Sequence, residues 1–129
     1  MNCVIGKSFK QEAIGKYISS SKSRLTWVIE INGIENTIVL TLSYMSRKYE
    51  IFVNGISQKK GSEVMGNFTH EFTLNDCFIQ LISSFDSSVL KVNGTLFTNL
   101  PKSSQSFMKM NTEQGHQVIN NRQTQPQST

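Results

Sequence analysis

At 129 residues and 37% hydrophobic content, the chain has room for one domain of ordinary size, with its apolar residues concentrated in a single core. Only Cys3 and Cys77 are present, too few for the disulfide framework of a small secreted domain, so reduced thiols and a cytosolic setting are expected. The net charge of +4 lies in the ends: residues 1–24 carry five basic groups against Glu12, residues 102–129 three against Glu113, and residues 25–101 five against seven acids. The ends, not the middle, are suited to an acidic partner surface.

Residues 1–7 hold a Val-Ile pair but no apolar region long enough for a signal peptide, and no stretch approaches the ~20 apolar residues of a membrane span. No membrane insertion is expected. Residues 8–18 have the pattern of a short amphipathic helix, with Ser8 and Gln11 at capping-box spacing and Phe9, Ala13 and Tyr17 on one stripe. Gly15 weakens that helix, which at this length needs a surface to pack on. The arm over residues 1–23 is therefore expected as a short helix or an extended basic segment, ending in a serine-rich linker.

Strict alternation begins at Leu25. Leu25, Trp27, Ile29 and Ile31 share one face of a half-buried strand, and Thr26, Val28 and Glu30 the other. Asn32-Gly33 then closes the first of three repeats of one phrase, with Val53-Asn54-Gly55 and Val92-Asn93-Gly94 the others. Asn-Gly after an alternating run predicts a two-residue type I′ hairpin turn, because both central residues need φ > 0. Between the turns, Ile38, Leu40 and Leu42 alternate with Thr37, Val39 and Thr41, then Tyr49, Ile51 and Val53 with Lys48, Glu50 and Phe52. Gly61 and Gly66 are expected to frame an irregular connection. Phe68, His70, Phe72 and Leu74 alternate with Thr69, Glu71 and Thr73, Asn75-Asp76 reverses the chain, and Cys77, Ile79 and Leu81 return inward. A polar link over residues 83–88 and a last hairpin about Asn93-Gly94 lead to Leu100-Pro101. The expected fold is all-β: a single antiparallel β-sandwich of about seven or eight short strands over residues 24–101. Residues 102–129 form a polar, irregular tail in which Phe107, Met108, Met110, Val118 and Ile119 are too scattered to build a core.

The one pairing with catalytic potential is Cys77 with His70, since a thiolate nucleophile needs an imidazole within hydrogen-bond reach. Alternation turns both side chains toward the face holding Phe68, Phe72, Ile79 and Leu81, where a core histidine and an inert thiol are expected. Cys3, Cys77, His70 and His116 lack the paired spacing of a zinc site. No phosphate loop follows Gly61 or Gly66, and Arg47-Lys48, Lys59-Lys60 and Lys91 are too dispersed for a nucleic-acid face. The glycosylation sequons at Asn67 and Asn93 are expected to be coincidental. No catalytic, cofactor-binding or metal-binding residue is assigned, and the chain is expected not to be an enzyme.

Thr26-Trp27-Val28 before Asn32-Gly33, the Ile38-Val39-Leu40 strand, Val53-Asn54-Gly55, Thr69-His70-x-Phe72, Cys77-Phe78-Ile79 leading to Ser83-Ser84, and the closing Leu100-Pro101 occur in a consistent order. Together they resemble the second half of the Fas apoptotic inhibitory molecule family over about residues 24–101. The resemblance implies a noncatalytic antiparallel β-sandwich from a family associated with restraint of death-receptor apoptosis and protection against protein aggregation. Members usually carry two such domains in tandem where this chain carries one, and Ile51 or Phe52 stands where the family has a Trp. No family binding residue maps onto these positions. The expected function is a protein-interaction module acting through its sheet faces, edge strands and basic ends. The alternative is a structural subunit of a large assembly, such as a ciliary or axonemal microtubule, whose neighbours clamp the terminal arms and whose acidic tubulin surface meets their charge.

Overall fold

The computed structural model describes residues 2–62, 67–84 and 87–103. Period-two alternation and tight turns build nine strands among them: β1 (Val4–Ala13), β2 (Lys22–Ile31), β3 (Ile34–Ser43), β4 (Lys48–Val53), β5 (Ile56–Ser62), β6 (Phe68–Leu74), β7 (Cys77–Ser83), β8 (Ser88–Val92) and β9 (Thr95–Leu96). They form two antiparallel sheets, one ordered β1-β2-β3-β4-β5 and the other β6-β7-β8-β9, each a simple meander. Single 3-10 turns at Ser19–Ser21 and Phe97–Asn99 are the other regular elements among the described residues, and no helix there is long and apolar enough to cross a membrane.

The alternating faces meet as the sequence predicts. Leu25, Trp27, Ile29, Ile31, Ile38, Leu40 and Ile51 of the first sheet and Cys77, Ile79, Leu81, Leu90 and Val92 of the second belong to one buried cluster, joined by Val4, Phe97 and Leu100. Each large aliphatic side chain so buried stabilises the fold by about 1.5–3 kcal/mol. Their outward neighbours are polar or only half-covered.

The turns repeat one device. Asn32, Asn54 and Asn93 have φ of 51°, 52° and 50°, and the glycines after them 84°, 83° and 84°, the type I′ geometry. Each asparagine also reaches past its own hairpin to the next strand. Asn32 donates its N–H to the Cys3 carbonyl at 2.8 Å and accepts the Cys3 N–H on Oδ1 at 2.8 Å. Asn54 makes the same pair with Thr37, and Asn93 with Phe78. The carboxamide thus extends the ladder by one rung beyond each strand end.

Residues 8–18 are not helical. Their first half continues β1, which lies antiparallel to β2 from Val4 opposite Ile31 to Ala13 opposite Ser23, with an irregularity between Gly6 and Ser8. Pairing with a preformed alternating strand satisfies the backbone along this whole stretch, whereas an isolated helix of this length, interrupted by Gly15, has nothing to pack on. After the irregularity, Phe9, Gln11 and Ala13 lie opposite Trp27, Leu25 and Ser23 on the inner face, and Tyr17 of the expected stripe is 91% exposed. Residues 1–23 are therefore not an arm apart from a domain over residues 24–101, because β1 is an edge strand of its larger sheet. Gly61, expected in an irregular connection, instead sits in β5 opposite Tyr49, which brings the strand count to nine. Gly66, His116 and the tail from residue 104 lie outside the described residues.

Candidate docking groove

Cys77 and His70 both face inward as expected, but they are not brought together. His70 lies opposite Leu81, four positions along β7 from Cys77, which at strand rise separates them by about 13 Å. Cys77 is fully buried, and its sulfur accepts the Asn2 side-chain amide at 3.4 Å. His70 packs beside Phe72 with ring centroids 5.4 Å apart, and its Nε2 is buried with no hydrogen-bond partner. Burial, and secondarily the charge of Lys59, lower its pKa, which favours the neutral imidazole. No three His, Cys, Asp or Glu side chains among the described residues converge as metal ligands would.

A cleft with a mostly apolar lining lies at the opposite side of the sandwich, where the two sheets are unequal. β1 and β2 are ten residues long, whereas β9 ends after two. β9 pairs with β8 only at Lys91 opposite Leu96 and Val92 opposite Thr95, so among the described residues no strand lies beside residues 88–90 on that flank. The inner face of β1 therefore overhangs the smaller sheet, and the gap is a groove of about 420 Å³. Phe9 and Trp27 from the larger sheet, Val89 and Leu90 from β8, and Leu96 and Phe97 after the last turn line it, together with Lys7 and Lys102.

Phe9 is 46% exposed although it lies on the inner face, while Trp27 opposite it is 2% exposed. Their ring centroids are 5.2 Å apart. Phe9 thus acts as a lid on Trp27 and as the exposed apolar edge of the groove. The Lys102 ammonium sits over the Phe97 ring at 5.1 Å, and Lys7 lies 3.5 Å from Glu30. Beyond Phe9 the cleft continues into a smaller pocket of about 210 Å³ between Leu25, Leu42 and Tyr44 on one side and Ser84, Ser87 and Ser88 on the other.

The far wall is fixed by close approach. Phe97 and Leu100 lie over Gly6, where an added Cβ would come within 3.3 Å of the Phe97 ring, and the Gly6 N–H donates to the Pro101 carbonyl at 2.9 Å. Glycine at this position lets the C-terminal turn close on β1. The groove thus lies between the inner face of β1 and residues 88–90 of β8.

None of these residues stands out in the sequence. Phe9 fits a helical stripe, and Leu96 and Phe97 fit an ordinary strand. The usable signal is the decay of the β1 inner face from Val4 to Phe9, Gln11 and Ala13, which marks the point where the cover of the second sheet ends. A comparison with protein families, with curated proteins and with solved structures finds no match for this chain.

Proposed function

We propose that the chain is a noncatalytic protein-interaction module that takes an extended segment of a partner protein into the groove between β1 and β8. The observation that supports this is the pairing of an apolar slot with a strand edge that has no partner among the described residues. Main-chain hydrogen bonds to residues 88–90 would supply affinity, and an alternate side chain lodged against Phe9, Trp27 and Leu90 would supply specificity. Lys102, one of the lining residues, favours segments with acidic flanks, in line with the basic ends of the chain. Segments of high β-propensity left exposed in misfolded proteins have this chemistry. The reading therefore agrees with the aggregation restraint that the resemblance to the Fas apoptotic inhibitory molecule family implies.

Trp27 is the sole tryptophan of the chain and lines the groove, so its emission reports occupancy directly. A synthetic peptide alternating valine and threonine between glutamates is expected to shift that emission saturably, and its lysine-flanked counterpart to bind more weakly. Phe9→Ser should abolish the response while leaving the cooperative unfolding transition in place. Absence of saturable binding, or equal binding by Phe9→Ser, would remove the support for this function.

A further inference from the structure

We propose that Asn93-Gly94 is a site of spontaneous covalent modification, the first of the three Asn-Gly turns to convert in the folded protein, and that its conversion loosens the wall of the groove. The site stands whether or not the groove takes a peptide.

The chemistry needs only water. The backbone nitrogen of a residue following asparagine can attack the carboxamide carbon, and glycine offers no Cβ to obstruct it. A new bond forms between the Gly94 nitrogen and the Asn93 Cγ, the Cγ–Nδ2 bond breaks, and the proton given up by the Gly94 N–H is matched by one gained as Nδ2 leaves as ammonia. Water then opens the five-membered imide at either carbonyl. One product is aspartate. The other is isoaspartate, in which the main chain runs through the side-chain methylene and gains one atom.

In all three turns the cross-strand bond to Oδ1 holds the carboxamide away from its own main chain, so attack requires local opening. The turns differ in what opposes that opening. Asn32 Nδ2 donates to Asn2 Oδ1 at 2.8 Å, and Asn54 Nδ2 donates to Asn36 Oδ1 at 2.9 Å. Asn93 is held through Oδ1 and its backbone N–H, and among the described residues its Nδ2 has no partner. The flanking ladders differ more. Asn32-Gly33 closes a hairpin paired from Lys22 opposite Ser43 to Ile31 opposite Ile34, and Asn54-Gly55 one paired from Lys48 opposite Ser62 to Val53 opposite Ile56. Asn93-Gly94 closes a hairpin of two residue pairs.

The consequence falls on the groove, because the same reversal carries Leu96 and Phe97 into its wall. An isoaspartyl linkage adds an atom to a two-residue turn and displaces the acceptor that holds the Phe78 N–H. The turn can then no longer keep its type I′ register, and Leu96 is released.

The folded protein, held near neutral pH at physiological temperature, is sampled over time by peptide mapping with mass spectrometry and an isoaspartate-specific methyltransferase assay. Asn93 is expected to convert several-fold faster than Asn32 or Asn54 in the native state, and the three rates are expected to draw together in concentrated urea. Equal or faster conversion at Asn32 or Asn54 in the folded protein overturns the proposal. So does an Asn93 lead that persists unchanged in urea, since local sequence and not the fold would then set the order. In the converted fraction the amides of Phe78 and Leu96 should exchange faster than in the unconverted one, and unchanged exchange there overturns the link to the groove wall.

Discussion

Asparagine serves at the three Asn-Gly turns because it combines two properties that glycine and alanine separate. It tolerates φ near 50°, and its carboxamide accepts the N–H of the neighbouring strand, so one side chain both forms the turn and extends the ladder. His70 shows the opposite situation, a polar residue taken into the sandwich with its Nε2 unsatisfied. Burial and then Lys59 hold its pKa below the ordinary 6.5. As pH falls below that value, the unfolded chain takes up a proton that the folded one resists, so folding loses stability toward acid. The contribution is fully present above the unfolded pKa and is lost as pH drops through the window beneath it. We expect the stability difference between wild type and His70→Leu to move in favour of His70→Leu as pH is lowered through this window, as measured by urea midpoints. A difference that stays flat would show that His70 is protonated as readily folded as unfolded, and one that moves the other way that it is protonated more readily when folded.

At the scale of the element, the edge strands show how a position is read by its partner. Gly61 looks like a loop residue in sequence, yet it lies within β5 opposite Tyr49. A Cβ built there would come within 2.6 Å of the Tyr49 hydroxyl oxygen and 2.7 Å of its ring. The Tyr49 ring lies across the glycine and stacks on Phe68 of β6, with centroids 3.9 Å apart and planes 5° from parallel. Gly61 is thus the vacancy that lets one aromatic stack join the two sheets at the side away from the groove, an aromatic cover for an edge glycine. Gly61→Val is expected to cost about 1–3 kcal/mol by chemical denaturation, the range for overpacking. Its effect should be less than additive with Tyr49→Ala, because both remove the same stack. Full additivity would mean that Gly61 does not act through the Tyr49 ring. β5 also carries Lys59 and Lys60, and β1 carries Lys7 and Lys10, so both edges of the larger sheet bear the charge that discourages uncontrolled strand pairing.

For the whole molecule, β1 decides where the domain begins. It contributes buried Val4 and Ile5, covers the flank of β2 that carries Trp27, Ile29 and Ile31, and receives Phe97 and Leu100 over Gly6. A chain starting at residue 24, where alternation alone sets the boundary, is expected to lose its cooperative transition and to show the red-shifted Trp27 emission of a solvated indole. A sharp transition with shielded emission in that truncated chain would show β1 to be dispensable. Alternation and turn chemistry, legible from residues 25 to 100, determined by themselves the all-β class, the inward faces of β2, β3, β4, β6 and β7, the burial of Cys77 and the reversals at Asn32-Gly33, Asn54-Gly55, Asn75-Asp76 and Asn93-Gly94. These follow from local physics: a side-chain period of two, and the need for φ > 0 at both turn residues. The tertiary structure alone decided that residues 8–13 form a strand, that Gly61 lies in β5 beneath Tyr49, and that Phe9, Leu96 and Phe97 line a groove. The physical reason is that each of these depends on a partner far along the chain. A segment with weak preferences of its own adopts the conformation its neighbour can pair with, and a groove exists only where two sheets of unequal extent leave a face uncovered, a difference that no single stretch of sequence contains.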